Sequence, residues 1–156
     1  MSDVTNVKFA GLGGQGILTC TDILGRVVFD LGFDVKKAEV HGMSQRGGAI
    51  TSDLRFGEKV MSPMIPAGTA DFLVVLGDDQ IEANQHFLKA DGILVKPSDF
   101  DVDKLENKRT LNVALLGALS KYMDFSQEQW LKAIHQQLPE RLHAVNERAF
   151  ALCRGE

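Results

Sequence analysis

Two glycine-rich segments, each directly after a strand-like run, constrain the fold of this chain more than any other feature. The first glycine loop, Gly11–Gly16, follows residues 7–10, and the second glycine loop, His41–Gly48, follows residues 34–40. Loops that leave the carboxyl ends of neighbouring strands in a parallel sheet open onto one crevice. Glycine there lets the backbone approach a ligand or another chain closely. The two loops therefore predict an α/β fold with a binding or docking edge.

The rest of the pattern alternates helical and strand-like segments. Apolar positions recur at helical spacing after the first loop, residues 50–56 alternate as in a half-buried strand, and residues 71–77 form a continuous apolar run. Val60 and Met61 are predicted to return as an antiparallel strand, and Asp78 or Asp79 is predicted to cap a helix that runs to about Lys89. The last third of the chain is predicted to be helical from Leu111 onward, with capping-box spacing between Ser126 and Gln129. We expect a single domain over residues 1–156, built as a three-layer α/β/α sandwich with a mostly parallel but mixed sheet.

Composition excludes several classes of function. The chain has 156 residues and a formal net charge of −4, which gives no electrostatic reason to bind nucleic acid or an anionic membrane. No apolar run approaches the ~18 residues of a membrane span, and the amino terminus lacks the pattern of a signal peptide. The two cysteines, Cys20 and Cys153, lie far apart, as expected for buried free thiols in a cytoplasmic protein.

The chain shows no complete catalytic machinery of its own. An iron–sulfur cluster needs about four cysteine thiolates, and only two cysteines are present. The four histidines have no metal-ligand spacing with Asp, Glu or Cys, so no metal site is predicted. A nucleophile elbow, a Walker loop and a catalytic dyad are also absent from the sequence.

The first loop by itself allows two interpretations. Gly11, Gly13 and Gly16 satisfy the G-x-G-x-x-G pattern of dinucleotide-binding folds, and Glu39 could serve as the acid that binds the ribose. The same pattern also occurs where a strand simply turns into a helix. A stand-alone dinucleotide-binding protein therefore remains an alternative to a docking or packing turn.

The second loop carries one fixed cation, Arg46, which can pair bidentately with a carboxylate or a phosphate. A solvated loop charge is the other reading of this residue. His41 can exchange protons near neutral pH, but a structural hydrogen bond is the simpler role because no nucleophile or carboxylate is visibly paired with it. A strand, rather than the helix of a Rossmann half, follows this loop.

Together these motifs resemble the gamma subunit or domain of 2-oxoacid:ferredoxin oxidoreductases. The two loops carry most of the resemblance, and residues 62–66 and 112–119 fit the same pattern. The form of the second loop is most similar to that of the small (beta) subunit of indolepyruvate ferredoxin oxidoreductase. The residues that the resemblance places at a cofactor or partner are Gly11, Gly13, Gly14, Gln15, Gly16, His41, Gly42, Met43, Gln45, Arg46, Gly47, Gly48, Ser62 and Pro63.

The resemblance implies a division of labour within a complex. Such enzymes oxidatively decarboxylate a 2-oxoacid with coenzyme A and pass the electrons to ferredoxin. Thiamine diphosphate, magnesium and the iron–sulfur clusters are expected in partner subunits, namely the thiamine-binding alpha and beta subunits and a ferredoxin-like subunit. This chain is expected to hold no cofactor, to dock on those partners, and to form a homodimer when isolated.

One segment departs from the family pattern. Between Val95 and Asn112 the family commonly has a longer stretch with an additional helical segment, whereas this chain has a short charged connector. Any partner contact made by the longer stretch is therefore in question. The sequence leaves open which 2-oxoacid the complex uses.

Overall fold

The computed structural model describes residues 4–41 and 48–155, and within them five strands form one sheet. The strands are β1 (Val4–Leu12), β2 (Asp34–His41), β3 (Ala49–Gly57), β4 (Ala70–Val75) and β5 (Leu88–Val95). The α-helices are α1 (Ile17–Asp30), α2 (Ile81–Asn84), α3 (Leu111–Ser120), α4 (Gln127–Gln137) and α5 (His143–Arg154). The α/β class is confirmed.

The sheet is mixed because of β3. The strand order is β2-β3-β1-β4-β5, in which β3 is antiparallel to both of its neighbours while β1, β4 and β5 are parallel to one another. The carboxyl ends of β1, β2, β4 and β5 and the start of β3 therefore share one edge of the sheet. The first glycine loop lies at this edge.

Four helices cover one face of the sheet, which we call the helical face. Side chains such as Phe9, Leu54 and Val74 point into this layer and form one apolar cluster with residues of α1, α3, α4 and α5. Helix α3 is buried on all sides from Asn112 to Ser120, as expected for a central helix that is apolar all round. This layer contains most of the hydrophobic core.

The opposite face has a thinner cover. Ala10, Leu73 and Val75 form a small apolar cluster with residues of α2 and β5. Beside this cluster lies an ion pair, in which Lys8 Nζ is 2.6 Å from Asp53 Oδ1 and the two side chains are only 3% and 1% exposed. The Lys8 ammonium also lies 3.9 Å from the centre of the Phe87 ring.

Residues 58–69 cross the opposite face without forming a strand. The expected antiparallel strand at Val60 and Met61 is wrong, because side chains of the sheet bind the backbone groups that a strand would use. Asp34 accepts a hydrogen bond from Val60 N at 2.8 Å, and Asp53 accepts one from Ile65 N at 2.9 Å. Arg55 donates to the carbonyl of Ser62 at 2.8 Å. The path of this segment is therefore fixed by polar contacts with β2 and β3.

No helix in the described ranges 4–41 and 48–155 combines the length and the apolar character needed to cross a bilayer.

Candidate functional site

The first glycine loop joins β1 to α1 through two left-handed residues. Gly14 and Gly16 have φ angles of 86° and 85°, a region that side-chain-bearing residues rarely adopt. Gly16 is the N-cap of α1 and offers no side chain to the first turn. The backbone N–H groups at the start of this helix are thus left without a side-chain cap at the sheet edge.

Gln15 stabilises the loop from within. Its Oε1 accepts a hydrogen bond from Leu12 N at 2.7 Å, and its own N–H donates to Leu12 O at 3.2 Å. A Cβ built on Gly11 would lie 2.8 Å from that Oε1 and 2.7 Å from Ile17 Cδ1. A side chain at position 11 would therefore force the ends of the Gln15 and Ile17 side chains to shift, and the Gln15 amide oxygen is used inside the loop.

Asn112, near the start of α3, fixes the other end of the loop. Its Nδ2 donates to Gly16 O at 3.3 Å, and a Cβ on Gly16 would overlap this same amide. The Cys20 thiol donates to Asn112 O at 3.4 Å. Gly16 is thus required both by its φ angle and by the close approach of α3.

The two glycine loops meet where they are described. Gly13 N donates to Gly48 O at 3.0 Å, beside the pair of Leu12 with Ala49 at the end of the β1–β3 ladder. Gly48 has a φ angle of 54°, again in the left-handed region. The expected convergence of the loops at one edge is therefore seen for these residues. The other predicted residues of the second loop, Gly42, Met43, Gln45, Arg46 and Gly47, lie outside the described part of the chain.

His41 and Glu39 lie at the end of the outer strand β2, and β3 separates them from β1. His41 Nε2 is 3.2 Å from Glu39 Oε1, and both side chains are largely exposed. This contact gives His41 the structural hydrogen-bonding partner that sequence reasoning did not find. Neighbouring strands are about 4.8 Å apart, so Glu39 starts two strand spacings from the first loop.

Ser62 and Pro63 lie in the segment that crosses the opposite face, away from the glycine loops. The Arg55 side chain that holds Ser62 also donates to Asn6 Oδ1 at 2.8 Å, and Asn6 is near the start of β1. From there to Leu12 the strand extends roughly 20 Å at about 3.3 Å per residue. The predicted residues therefore fall into two separate regions.

A groove runs along the sheet edge beside the first loop. A cavity of about 540 Å³ opens next to the loop, and a more apolar one of about 490 Å³ continues it toward the end of β5. The two cavities share Leu76, Lys108 and Leu111. The first is lined by Gly14, Gln15, Gly16, Leu76, Lys108, Arg109, Leu111 and Asn112.

The cavity next to the first loop has a positively charged wall, whereas Asp78 and Asp101 line the more apolar cavity. Arg109 is exposed, and its guanidinium has no hydrogen bond or ion pair with any residue of ranges 4–41 and 48–155. Lys108 Nζ is 3.7 Å from Asp103 Oδ1, in a pair that is about four-fifths exposed. The first turn of α1 holds no acidic residue, so its positive dipole end is not neutralised from its own helix. The cavity next to the first loop therefore suits an anionic group.

Sequence reasoning missed Lys108 and Arg109. They belong to the short charged connector, for which the resemblance implies only the absence of a longer stretch. Their single sequence signal is a basic pair just before the predicted helix at residue 111. Only the fold brings this pair beside the first glycine loop.

Neither thiol is available as a ligand at this edge. Burial raises the pKa of the Cys20 thiol far above its usual range and that of the Cys153 thiol to about 11. A metal ligand is the thiolate, so both shifts oppose metal binding. Within the described ranges, no group of three His, Cys, Asp or Glu residues is placed to hold a metal ion.

Comparison with known proteins gives a consistent result. Residues 6–103, more than half of the chain, match the family described as pyruvate ferredoxin/flavodoxin oxidoreductase. The indolepyruvate oxidoreductase subunit IorB of Thermococcus kodakarensis is 34% identical over 189 aligned positions, which cover 94% of this chain and 93% of that subunit. Since the 189 positions exceed the 156 residues of this chain, the alignment includes insertions in the relative.

Solved structures show the same fold. The gamma subunit of a keto/oxoacid ferredoxin oxidoreductase from Geobacter sulfurreducens PCA superposes with a TM-score of 0.80 at 22% identity, over 96% of this chain and 95% of that one. A 2-oxoglutarate:ferredoxin oxidoreductase from Magnetococcus marinus gives a TM-score of 0.81 at 19% identity. That match covers all of this chain but 32% of the other, so the same fold there is part of a longer polypeptide.

Proposed function

Because this chain belongs to the pyruvate ferredoxin/flavodoxin oxidoreductase family, we propose that it is the subunit of a 2-oxoacid:ferredoxin oxidoreductase that carries no redox centre. The complex oxidatively decarboxylates a 2-oxoacid, transfers the acyl group to coenzyme A and reduces ferredoxin. Thiamine diphosphate, magnesium and the iron–sulfur clusters belong to its partner chains. Among 2-oxoacids, the similarity to an indolepyruvate oxidoreductase subunit favours indolepyruvate.

The chain's own chemistry supports this division of labour. Two buried thiols with raised pKa values are fewer and less ionised than the about four thiolates that an iron–sulfur cluster needs. In the proposed complex, the electrons travel through other chains. What this chain offers instead is a preorganised backbone edge next to basic side chains.

The main support for the proposal is that the two glycine loops meet beside the cavity lined by Lys108 and Arg109. The Gly13–Gly48 hydrogen bond joins the loops, and Arg109 stands free of the described residues at the groove wall. Phosphate groups pair well with a guanidinium and with a helix amino terminus. We infer that this edge faces the thiamine-binding subunits and that Lys108 and Arg109 contact the phosphates of coenzyme A.

The alternative function, a stand-alone dinucleotide-binding protein, is less well supported. In a Rossmann fold the second strand lies next to the first, so its terminal acid reaches the ribose of the bound nucleotide. Here β3 separates Glu39 from the first loop. The Gln15 side chain also bonds to the loop backbone, within a turn that a pyrophosphate would approach.

The test is the effect of Arg109→Ala on the reconstituted complex. Arg109 is exposed, so the variant should shift the unfolding free energy of the lone subunit by less than ~0.5 kcal/mol. In the complex we expect the KM for coenzyme A to rise about tenfold or more, since one charge-assisted hydrogen bond contributes about 1.5–3 kcal/mol. Arg46→Ala should act in the same direction, as its sequence position predicts.

The matched control is Arg148→Ala. Arg148 is also an exposed arginine, but it lies on α5, outside the groove. It pairs bidentately with Glu106, at 2.7 and 2.8 Å. This variant should leave the KM for coenzyme A unchanged. Equal effects of Arg109→Ala and Arg148→Ala on that KM would contradict the proposed contact between the groove and coenzyme A. Micromolar binding of NAD by the lone chain would favour the alternative function.

A further inference from the structure

Strand β2 is the outermost strand on one side of the sheet, and one of its two long sides is open. Within the described chain its only neighbouring strand is β3, so the other side of its eight residues presents unpaired backbone groups. Such an edge is a template for pairing with another strand. The question is which strand it fits.

The two edges of the sheet differ in regularity. Pairing between β4 and β5 shifts register between Ala70 and Phe72, an irregularity that blunts an edge. By contrast, β2 pairs with β3 without a shift from Asp34 to His41. Only β2 therefore offers a regular row of eight residues to another strand.

The sequence of β2 is complementary to itself. Two copies related by a two-fold axis pair antiparallel, and residues that face each other must point to the same side of the sheet. Near the strand centre this permits either Lys37 opposite Lys37, or Ala38 opposite Ala38. The first arrangement opposes like charges, which is destabilising. The second places Lys37 of each copy opposite Glu39 of the other and leaves the small Ala38 on the axis.

The surroundings of β2 also fit a second copy of this chain. Phe29 is 62% exposed and borders an open cavity of about 450 Å³ together with Val35 and Lys37. Val40, at the other end of the strand, is 41% exposed. In the Ala38-centred register Val40 lies opposite Lys36 of the second copy, whose aliphatic stem can cover it.

We propose that two copies of this chain associate through antiparallel pairing of their β2 strands, with Ala38 on the two-fold axis. The pairing joins the two five-stranded sheets into one continuous sheet and closes the open edge. Two Lys37–Glu39 pairs, one on each side of the axis, set the register. Lys37 is half exposed in its contact with Asp22, 2.6 Å away, so its ammonium can also reach across the new interface.

The register is tested with single cysteines. In the proposed pairing the Cβ atoms of two Ala38→Cys chains lie about 4.5–5.5 Å apart, so mild oxidation of the purified chain should yield a disulfide-linked dimer. The native thiols of Cys20 and Cys153 are buried and will not compete. Lys37→Cys is the matched control, because its two copies are offset by two residues and should cross-link much more slowly. Faster cross-linking of Lys37→Cys, or none of Ala38→Cys, overturns the proposal.

The charge pairs are tested by reversal, with sedimentation to measure the dimer dissociation constant. Lys37→Glu opposes two glutamates, Glu39→Lys opposes two lysines, and each alone should weaken the dimer about tenfold or more. When the two variants are mixed, every pair across the axis is again Lys with Glu, so a heterodimer should form near wild-type affinity. Melting curves of each variant confirm that it is folded. A wild-type chain that stays monomeric, or variants that dimerise as well alone as mixed, would refute β2 pairing.

Discussion

The helical face of the sheet places Phe9, Leu54 and Val74 against four helices, whereas the opposite face buries Lys8 and Asp53 under a short helix and an irregular segment. On the helical face the contacts are apolar, so stability depends on shape and volume. On the opposite face it depends on keeping two opposite charges together, because an unpaired buried charge is costly. One sheet thus tolerates different kinds of change on its two sides.

The Lys8–Asp53 ion pair also holds the irregular segment over residues 58–69 in place. Asp53 bonds Lys8 through one carboxylate oxygen and Ile65 N through the other. The pair therefore fixes the segment that carries Ser62 and Pro63, two residues predicted to face a partner. We expect disruption of the pair to affect both stability and assembly, while changes on the helical face affect stability alone.

The largest expected effect comes from breaking the ion pair. Lys8→Met leaves the Asp53 carboxylate buried without its cation, and we expect a loss of about 3–5 kcal/mol in the free energy of unfolding, measured by urea denaturation. Lys96→Met is the matched control, because the Lys96–Asp99 pair has the same 2.6 Å separation but is about a third or more exposed. This control should cost no more than about 1 kcal/mol.

The double variant Lys8→Met/Asp53→Asn separates charge from shape. Asn keeps an oxygen that can accept the hydrogen bond of Ile65 N but removes the uncompensated charge. It should recover more than half of the stability lost in Lys8→Met. If the double variant is no more stable than Lys8→Met, packing rather than charge controls the opposite face, and the contrast between the faces is wrong.

A smaller effect is expected on the helical face, from Gly117→Ala. A Cβ on Gly117 would overlap the backbone carbonyl oxygen of Phe150 and lie 3.2 Å from Arg154 N, so α3 and α5 must move apart. Overpacking of this kind costs about 1–3 kcal/mol. Thermal unfolding of the lone subunit measures it.

Gly25→Ala in α1 is the matched control, because the structure has room for the added methyl group there. The added Cβ would lie 3.7 Å from Leu54 Cδ1, an ordinary contact, and the residue has no left-handed φ. Alanine should therefore raise stability by roughly 0.5–1 kcal/mol. Equal losses in the two variants would mean that the close approach of α3 and α5 does not distinguish Gly117.

Much of the helical face could be predicted from the sequence because its signals are local. The glycine loop before α1, the alternation that gives Leu54 and Phe56 one face, and the capping box of Ser126 and Gln129 before α4 are all confirmed. Each depends on residues only a few positions apart.

The opposite face could not be predicted in this way. Strand alternation placed Asp53 on a solvated side, but Lys8, 45 residues earlier in the chain, lies beside it and buries it. The helix predicted from Asp78 or Asp79 is present as α2 flanked by two 3₁₀ turns, but it ends at Phe87 rather than near Lys89. The next residue, Leu88, begins β5 and pairs with Ala70, and Phe87 lies under Lys8. These contacts join distant segments, so local patterns do not reveal them.

The most direct test of the central claim is the activity that accompanies the chain in its own cells. The tagged chain should be purified under gentle, anaerobic conditions, and the eluate assayed for reduction of ferredoxin that requires both a 2-oxoacid and coenzyme A. We expect such activity, with indolepyruvate used better than pyruvate, together with copurified chains that contain thiamine diphosphate and iron. A chain that elutes without this activity and binds NAD with micromolar affinity would contradict the account.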